Sequence, residues 1–344
     1  MKIKKVISLL TCILVIFSIS SCTNGSGGTE ILPRIAVSRD SIYYSSDTDN
    51  TVMKLKINAA KTGEAEIFAE NERVDRQIEN YMMTIKENML CCYILSSGEL
   101  AFEMEQPEKY DILNNTFYYL NNGRLYSKDI TGGQQQQVDS GKYIDLKAES
   151  GRLWLLTKSH NIKRLSVTPD QGPQMSEPLL GSSNKIDSIK NFTAINKTIY
   201  YALQTDGKYQ ILRTDFDTMQ TELLLENIDE FYGLVNINKY VYAALKPAGS
   251  EKISLMVFAH QKDNQGFMTV KSDIPTTELK AFESTLSYGA GIVAMGRNAS
   301  WQAENEYCDM QIYENKAIFM LKDPQQNYYF EIVDLNESSN KILP

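Results

Sequence analysis

Side chains that could carry out catalysis are few in this sequence and are poorly spaced for it. His160 and His260 are the only histidines, and a Ser-His-Asp site needs one of them beside a nucleophile. Ser287 lies in Thr-Leu-Ser-Tyr-Gly, which keeps only the second glycine of a Gly-x-Ser-x-Gly turn. No phosphate-binding loop and no His-Glu-x-x-His motif occurs. We therefore expect both histidines to be structural or solvated, and we predict no catalytic residue.

Acidic residues at 47–50 have the spacing that begins a calcium-binding loop. The segment reads Asp-Thr-Asp-Asn, but the glycine at the sixth loop position and the glutamate at the twelfth are missing, and Asn58 stands at the twelfth. Asp and Asn also favour tight turns between strands. We interpret the segment as a turn, and the sequence predicts neither a metal site nor a cofactor.

Three cysteines follow Cys22, namely Cys91, Cys92 and Cys308, and an odd number at irregular spacing is not a disulfide framework. Cys91 and Cys92 are adjacent in an apolar run, so on a strand they point to opposite faces. We expect them to be small buried hydrophobic residues. A disulfide between Cys308 and one of these two cysteines remains an alternative.

Cys22 is the one residue whose surroundings predict a chemical modification. Lys2, Lys4 and Lys5 precede an apolar run at residues 6–19, and Ser20 and Ser21 stand directly before the cysteine. A basic start, an apolar run and small residues at its end are typical of a secretory signal.

This arrangement resembles the signal of bacterial lipoproteins, in which the cysteine is acylated and becomes the first residue. An ordinary signal peptide and a membrane anchor are the alternatives, although about 14 apolar residues are fewer than the roughly 20 that span a bilayer. We predict a signal peptide at 1–21, lipidated Cys22 with a flexible tether at 22–33, and one domain at 34–344. The protein is expected on the extracytoplasmic side of the cell membrane, on the cell surface or in the periplasm.

The charge of the chain excludes one class of partner. The formal net charge is −8, and removal of residues 1–21, with three lysines and no acidic residue, makes it −11. An acidic body without a basic cluster is repelled by the phosphates of nucleic acids. We therefore expect no nucleic-acid binding, a membrane association through lipid alone, and a monomer.

Beyond the tether, the sequence reads as a series of short strands. A polar turn followed by a strand rich in Tyr, Ile, Leu or Phe recurs, and an alternating strand comes next. Such patterns, with Asn and Gly in the turns, indicate β-hairpins. The turns that mark the copies lie near residues 40, 88, 115, 151, 196, 238, 289 and 315.

The repeat predicts the architecture. Four-stranded units that recur at roughly 40–50 residues are typical of a β-propeller, in which neighbouring blades cover each other's faces. Two intervals of about 26 residues are too short for a blade, so either two blades are truncated or a hairpin has been counted as a blade. We predict an all-β fold, a β-propeller of about seven four-stranded blades, with six or eight as alternatives. A pair of β-sandwiches or an irregular all-β chain is the competing interpretation.

Residues 41–47 and 52–58, Ser-Ile-Tyr-Tyr-Ser-Ser-Asp and Val-Met-Lys-Leu-Lys-Ile-Asn, resemble a blade of the YWTD propellers of low-density-lipoprotein receptors. They are more similar to bacterial lipoprotein propellers of unknown function that share this repeat, and residues 199–225 fit the same template. The chain departs from the receptor pattern at Tyr44, where that family has Trp. The resemblance implies extracytoplasmic binding rather than catalysis, and it carries over no functional site because the shared residues pack the blades.

One segment is longer and more polar than a hairpin. Residues 296–307 lie between expected strands near 292–295 and 309–313 and contain Trp301, one of two tryptophans. Loops on rigid scaffolds concentrate binding residues, and aromatic side chains anchor partners. We predict that Arg297, Trp301 and Tyr307 line a ligand or partner surface. The alternative is that Trp301 packs back onto a degenerate blade.

Two functions remain open. The first is a non-catalytic, lipid-anchored propeller that binds a protein, peptide or glycan, or scaffolds an envelope complex. The second is a propeller enzyme, a lyase or a glycoside-acting hydrolase, with acidic residues in the central channel. Carboxylates about 5–10 Å apart in a solvated channel would favour the enzyme, whereas Ser, Thr and apolar groups there would disfavour it.

Overall fold

A computed structural model describes residues 34–45, 50–59, 64–168, 172–176, 178, 188–237, 240–260, 266–274, 306–313, 316–325 and 327–334. These residues are mainly strands, with one turn of 3₁₀-helix at Ile57–Ala59. The strands, in chain order, are β1 (Ile35–Val37), β2 (Ser41–Ser45), β3 (Thr51–Lys56), β4 (Glu66–Glu70), β5 (Arg73–Ile78), β6 (Tyr81–Lys86), β7 (Met89–Ile94), β8 (Leu100–Glu105), β9 (Lys109–Leu113), β10 (Thr116–Asn121), β11 (Arg124–Asp129), β12 (Gln136–Asp139), β13 (Tyr143–Glu149), β14 (Arg152–Thr157), β15 (Ile162–Thr168), β16 (Gly172–Met175), β17 (Ser188–Ile195), β18 (Thr198–Thr205), β19 (Lys208–Asp215), β20 (Thr221–Ile237), β21 (Tyr240–Pro247), β22 (Ile253–Ala259), β23 (Met268–Ile274), β24 (Glu306–Tyr313), β25 (Lys316–Lys322) and β26 (Tyr328–Asp334).

Six antiparallel sheets hold these strands, and each sheet follows the order of the chain. Four sheets have four strands, β1–β4, β5–β8, β9–β12 and β13–β16, while β17–β23 form a seven-stranded sheet and β24–β26 a three-stranded one. Strand β20 is 17 residues long. Its part up to Ile228 pairs with β19, and its part from Ile228 onward pairs with β21. The seven-stranded sheet is therefore two four-stranded units that share β20, and the described residues form seven units.

The units surround an axis. Their first strands lie side by side, with β5 beside β1, β13 beside β9, β17 beside β13, β20 beside β17, and β24 beside β1. The second strands are buried along most of their length, as in β6 and β10, whereas the fourth strands β4 and β12 are mostly exposed. First strands at the centre and fourth strands at the rim are the arrangement of a β-propeller. The predicted fold is confirmed. Each unit is a blade, and the blades are numbered 1 to 7 in chain order, with β20 shared by blades 5 and 6.

Hydrophobic clusters between the blades make up the core. Phe117 and Tyr119 on β10 pack with residues of blade 2, such as Met83. Their neighbours Tyr118 and Leu120 pack with residues of blade 4 instead. Successive side chains of a strand point to opposite faces, so a second strand needs apolar residues at every position. This requirement explains why each second strand appears in the sequence as a continuous run of residues such as Phe, Tyr and Leu.

Blade 7 packs against blade 1 and closes the ring. Residues of β1–β3 and of β24–β26 form one buried cluster, which contains Ile35, Val37, Ile42, Leu55, Cys308, Ile318, Met320 and Phe330. Beside it, the Ile35 N–H donates to Asp309 Oδ2 at 3.0 Å. Asp309 is 3% exposed, so this contact joins segments at opposite ends of the described chain.

The turns between first and second strands confirm the expected blade markers at 40, 115, 151 and 196. Asn114 and Asn115 precede β10, and Ser150 and Gly151 precede β14, with both residues of each turn at positive φ. Positive φ at both positions suits the type I′ turn of a two-residue hairpin.

The marker at residue 88 was wrong. Asn88 precedes β7, which is the third strand of blade 2, and the first two strands of that blade are joined through Glu79 and Asn80. A hairpin had therefore been counted as a blade, which accounts for the short interval between residues 88 and 115. The markers at 238, 289 and 315 lie outside the described residues.

Candidate functional site

The inner strands enclose a cavity of about 760 Å³ at the centre of the propeller. Blades 2, 3, 4 and 6 contribute the residues that line it, and its polar and charged members are Asp75, Arg76, Gln77, Gln106, Glu108, Lys109, Tyr110, Asp111, Asp145, Lys147, Glu149 and Asn236. Cavities of roughly 300–1,000 Å³ are the size at which proteins bind small ligands. We refer to this cavity as the channel site.

Bulges in the inner strands aim side chains at the axis. The pairing of β5, β13, β17, β20 and β24 with their second strands shifts register by one residue. In β13, for example, the shift leaves Ile144 between the paired residues Tyr143 and Asp145. A bulge bends a strand and redirects the side chains beside it, and Asp145 follows the bulge directly.

Asp111 connects blade 3 to blade 4. Its Oδ2 accepts a hydrogen bond from the Ala148 N–H at 2.8 Å, and its Oδ1 accepts one from the adjacent Ile112 N–H at 2.8 Å. Only one edge of an inner strand pairs with a second strand, so N–H groups on the other edge need a separate acceptor. The Asp111 carboxylate provides that acceptor for β13.

Glu149 connects blade 4 to blade 5 in the same way. Its carboxylate accepts hydrogen bonds from the Ala194 N–H and, at 3.0 Å, from the Thr193 hydroxyl on β17. Asn236 reaches the same place from blade 6, and its amide donates to Thr193 Oγ1 at 2.9 Å and to the Ala194 carbonyl at 3.1 Å. Three blades are thus joined at Thr193 and Ala194.

A side-chain amide makes the corresponding link between blades 1 and 2. Gln77 Oε1 accepts from the Val37 N–H at 2.7 Å, and Gln77 Nε2 donates to the Val37 carbonyl at 3.0 Å. Together with Asp309 at the ring closure, these contacts form a set that we call the inter-blade clamps: Gln77, Asp111, Glu149, Asn236 and Asp309.

The remaining acidic residues of the channel site also have donors. Tyr110 donates its hydroxyl to Asp75. Glu108 accepts from the N–H groups of Asn122 and Gly123 at 3.0 and 3.2 Å. Asp145 accepts from the N–H of the next residue, Leu146, at 3.0 Å.

Burial raises the pKa of both clamp carboxylates in the channel. For Asp111, burial is opposed by the positive charge of Arg76 and by the two N–H donors. For Glu149, burial is opposed chiefly by Lys147 and by the Ala194 N–H, and the charge of Asp111 adds to the rise. A carboxylate whose pKa is raised by burial is disfavoured in its charged form, so keeping Asp111 and Glu149 ionised costs free energy.

The basic residues of the channel act on the carboxylates through their charges, but among the described residues they form no direct salt bridge. Arg76 lies over the ring of Tyr110, with its Cζ 4.2 Å from the ring centroid. Lys147 donates to Asn191 Oδ1 at 3.3 Å and to the Phe192 carbonyl. Among the described residues, no carboxylate oxygen lies within 4.0 Å of the charged nitrogens of Arg76, Lys109 or Lys147.

The predicted surface at residues 296–307 is described only at its end. Arg297 and Trp301 lie outside the described residues, as do Cys22 and the acidic turn at 47–49. Tyr307 belongs to β24 and pairs with Leu321. Because β24 begins at Glu306 rather than near residue 309, Tyr307 stands in a strand and not in the expected loop.

Neither histidine lines the channel site. His160 occupies the turn after β14 at positive φ, and its N–H donates to the Thr157 carbonyl at 2.9 Å. His260 Nδ1 lies 2.6 Å from the Tyr200 hydroxyl, and the Tyr200 side chain is fully buried. These contacts give both histidines structural surroundings.

Cys91, Cys92 and Cys308 are buried, and Cys91 and Cys92 are free thiols. Cys92 belongs to the cluster between blades 2 and 3, while Cys91 Sγ lies 3.9 Å from Glu103, so the two point to opposite faces as predicted. Burial raises the pKa of Cys91 to about 11 and that of Cys92 to about 12. Thiols with such pKa values are poor nucleophiles at neutral pH.

Nowhere in the described ranges do three or more His, Cys, Asp or Glu side chains come together in a way that could hold a metal ion. In the part of the chain that the structure describes, no helix is long and apolar enough to cross a membrane.

Sequence reasoning missed the channel residues, although a signal for them exists. Lys109, Asp111, Lys147 and Glu149 lie on segments that directly precede the hairpin turns before β10 and β14. Charged residues at alternate positions of a strand indicate a face that is not packed with apolar side chains. Charged strands just before the apolar second strands were therefore recognisable as the lining of a polar channel.

Comparisons with known proteins bear on the fold alone. No protein-family model and no curated protein matches the chain. Among solved structures, BamB from Moraxella catarrhalis is 12% identical with a TM-score of 0.44, over 88% of this chain and 98% of that one. The N-terminal domain of Nup159 is 9% identical with a TM-score of 0.48, over 87% and 88%.

The extracellular domain of a one-component system from B. thetaiotaomicron is 10% identical with a TM-score of 0.48. That alignment covers 88% of this chain but 38% of the other, so this chain spans less than half the length of that structure. These neighbours include β-propeller proteins. At such identities and TM-scores, no activity, ligand or partner transfers to this chain.

Proposed function

We propose that this protein is a lipid-anchored, extracytoplasmic β-propeller that binds a polar ligand in its channel site without transforming it. The ligand is a glycan, a peptide or an exposed part of a protein. The observation that carries the proposal is the use of the channel carboxylates: Asp111 and Glu149 each accept hydrogen bonds from the neighbouring blade.

The alternative, a lyase or a glycoside-acting hydrolase, draws support from carboxylates in a solvated channel. A catalytic acid or base must lie within hydrogen-bond reach of the substrate atom whose proton it transfers. Asp111 and Glu149 would have to give up inter-blade hydrogen bonds to do so, and each N–H left behind would be buried without a partner. The geometry therefore favours binding over catalysis.

The membrane anchor in the proposal is supported by the N-terminal sequence alone. Two or more acyl chains on Cys22 would hold the protein stably at a bilayer, where one chain binds only marginally. Expression of the full chain with a radiolabelled fatty acid should label the wild type and leave Cys22→Ser unlabelled and released from the membrane. Equal labelling of both would contradict lipidation at Cys22.

The binding site can be tested with two variants that carry the same charge change. Asp145→Arg places a long side chain into the channel at a residue whose carboxylate accepts from the N–H of the next residue, Leu146. Glu66→Arg makes the same change on the exposed outer strand β4. Full-length protein is screened on glycan and peptide arrays, and each ligand found is titrated by calorimetry after thermal melts show that both variants are folded.

We expect Asp145→Arg to weaken binding by about tenfold or more, which corresponds to about 1.4 kcal/mol, and Glu66→Arg to leave it unchanged. A ligand whose affinity falls only in Glu66→Arg would place binding at the rim and contradict the proposal. Incubation with each ligand followed by mass spectrometry tests the enzyme alternative, because new products that Asp145→Arg abolishes would establish turnover.

A further inference from the structure

Arg76 stands out among the charged groups of the channel site. Every acidic residue that lines the site accepts at least one hydrogen bond from an N–H or O–H of the protein. Arg76, by contrast, has no carboxylate within 4.0 Å among the described residues, and its close contact is with Tyr110. The site thus has spare capacity to bind an anion, although its acidic residues outnumber its basic ones.

We infer that Arg76 receives a carboxylate group of the ligand in the channel site, an inference that rests on the proposed binding function. A guanidinium presents five N–H donors in a planar fork that matches a carboxylate. Tyr110 can occupy one face of that plane and accept one donor at most, so the remaining N–H groups are available to the cavity that Arg76 lines.

Tyr110 keeps the guanidinium in place. The ring of Tyr110 is 7% exposed, and the hydroxyl is held by Asp75. Stacking on a fixed ring limits the rotation of the arginine side chain, so less entropy is lost when a ligand binds. Burial lowers the pKa of Arg76, but the contact with Tyr110 and the negative charges of Asp111 and Asp75 outweigh burial and raise it, which keeps the guanidinium charged.

The other charges restrict the ligand to one negative group. Five acidic and three basic residues line the cavity, so a polyanion would meet net repulsion. A ligand with one carboxylate and otherwise neutral or cationic polar groups fits this balance. A volume of about 760 Å³ admits a molecule of the size of a disaccharide or a short peptide. A uronic acid and a peptide C-terminus are the two sources of such a carboxylate.

The test compares each carboxylate with its neutral analogue. The probes are a diglucuronic acid with one free carboxylate and its full methyl ester, and the dipeptide Ala-Ala and its C-terminal amide. Calorimetry with the full-length protein measures the four affinities. The variants are Arg76→Gln, which removes the charge, Arg76→Lys, which keeps the charge without the fork, and Lys56→Gln as a control for loss of a cation at the exposed end of β3, outside the cavity.

We expect at least one acid to bind about tenfold or more tightly than its neutral analogue. Arg76→Gln should abolish that preference, Arg76→Lys should reduce it, and Lys56→Gln should retain it. Equal binding of acid and analogue, or a preference that survives in folded Arg76→Gln, would overturn the inference while leaving the binding function intact. Failure of all four probes to bind would overturn both. A preference for the sugar or for the peptide identifies the source of the carboxylate.

Discussion

Removal of the Glu149 carboxylate should loosen the contact between blades 4 and 5. The Ala194 N–H donates to this carboxylate, and Ala194 is fully buried. In Glu149→Ala the amide loses its acceptor, and a buried unsatisfied amide costs about 1–3 kcal/mol. The Thr193 oxygen still accepts from the Asn236 amide at 2.9 Å, but the Thr193 O–H also loses its Glu149 acceptor, so the loss should fall toward the upper end of this range. We expect the free energy of unfolding to fall by about 1–3 kcal/mol.

Glu149→Gln is the matched control because it keeps an oxygen that can accept from the Ala194 N–H. We expect it to cost less than about 1 kcal/mol, since it also removes the burden of a buried charge. The two variants together separate the loss of the acceptor from the loss of the charge.

The same pair predicts a dependence on pH. Burial raises the pKa of Glu149 in the folded protein, so between the unfolded pKa, about 4.3, and the folded pKa the folded state binds more protons than the unfolded state. Stability then decreases as pH rises through this window. Glu149→Gln has no such titration. The wild type should therefore be more stable relative to Glu149→Gln at pH 5 than at pH 7.5.

Urea unfolding of the full chain, followed by tryptophan fluorescence, measures these differences. Trp154 suits the purpose because it is fully buried between blades 4 and 5, and its Nε1–H donates to the Glu149 carbonyl at 3.2 Å. A Glu149→Ala protein within about 0.5 kcal/mol of the wild type would refute the clamp. So would a Glu149→Gln protein as unstable as Glu149→Ala.

Three further predictions concern the ring closure, the thiols and the core. Asp309→Ala should lower the free energy of unfolding by about 1–3 kcal/mol because the buried Ile35 N–H of blade 1 loses its acceptor. Asp309→Asn keeps an acceptor and should lower it less; equal urea midpoints for the two variants would contradict this. Cys91 and Cys92 should react with a thiol reagent only as fast as the protein unfolds, because burial raises the pKa of both thiols; a rapid native-state reaction would be inconsistent. Phe117→Ala should lower the free energy of unfolding by about 3–5 kcal/mol. Ile67 is 59% exposed, so Ile67→Ala should lower it by less than about 0.5 kcal/mol; similar decreases of the melting temperature in both variants would contradict the placement of Phe117 in the core.

The second strands of the blades could be predicted from the sequence because their pattern is local. Strands β10, β14 and β18 each begin directly after a two-residue turn with Asn, Ser, Gly or Lys, and each buries apolar residues on both faces. Such strands show as short, continuous apolar runs. Where one polar turn resembles another, as at Asn88, the local pattern does not distinguish the second strand of a blade from the third.

The inner strands could not be placed in the same way because their partners are distant. Asp111 accepts from Ala148, 37 residues further along the chain, and Glu149 accepts from Ala194, 45 residues further along. A charged residue on a strand reads as exposed until the neighbouring blade supplies its donor. The channel site consists of such residues, so its composition emerges only when the blades are assembled.

By itself, the sequence determined that this chain is an all-β repeat, where its apolar second strands lie, and that cysteines 91 and 92 face opposite sides of a strand. These properties depend on period-two alternation and turn chemistry, which act between near neighbours. Only the tertiary structure decided that β24 lies beside β1, which carboxylates join the blades and that Arg76 lines the channel. Those outcomes depend on contacts between residues as much as 274 positions apart, and no local pattern encodes which distant strand edge an acidic side chain will meet.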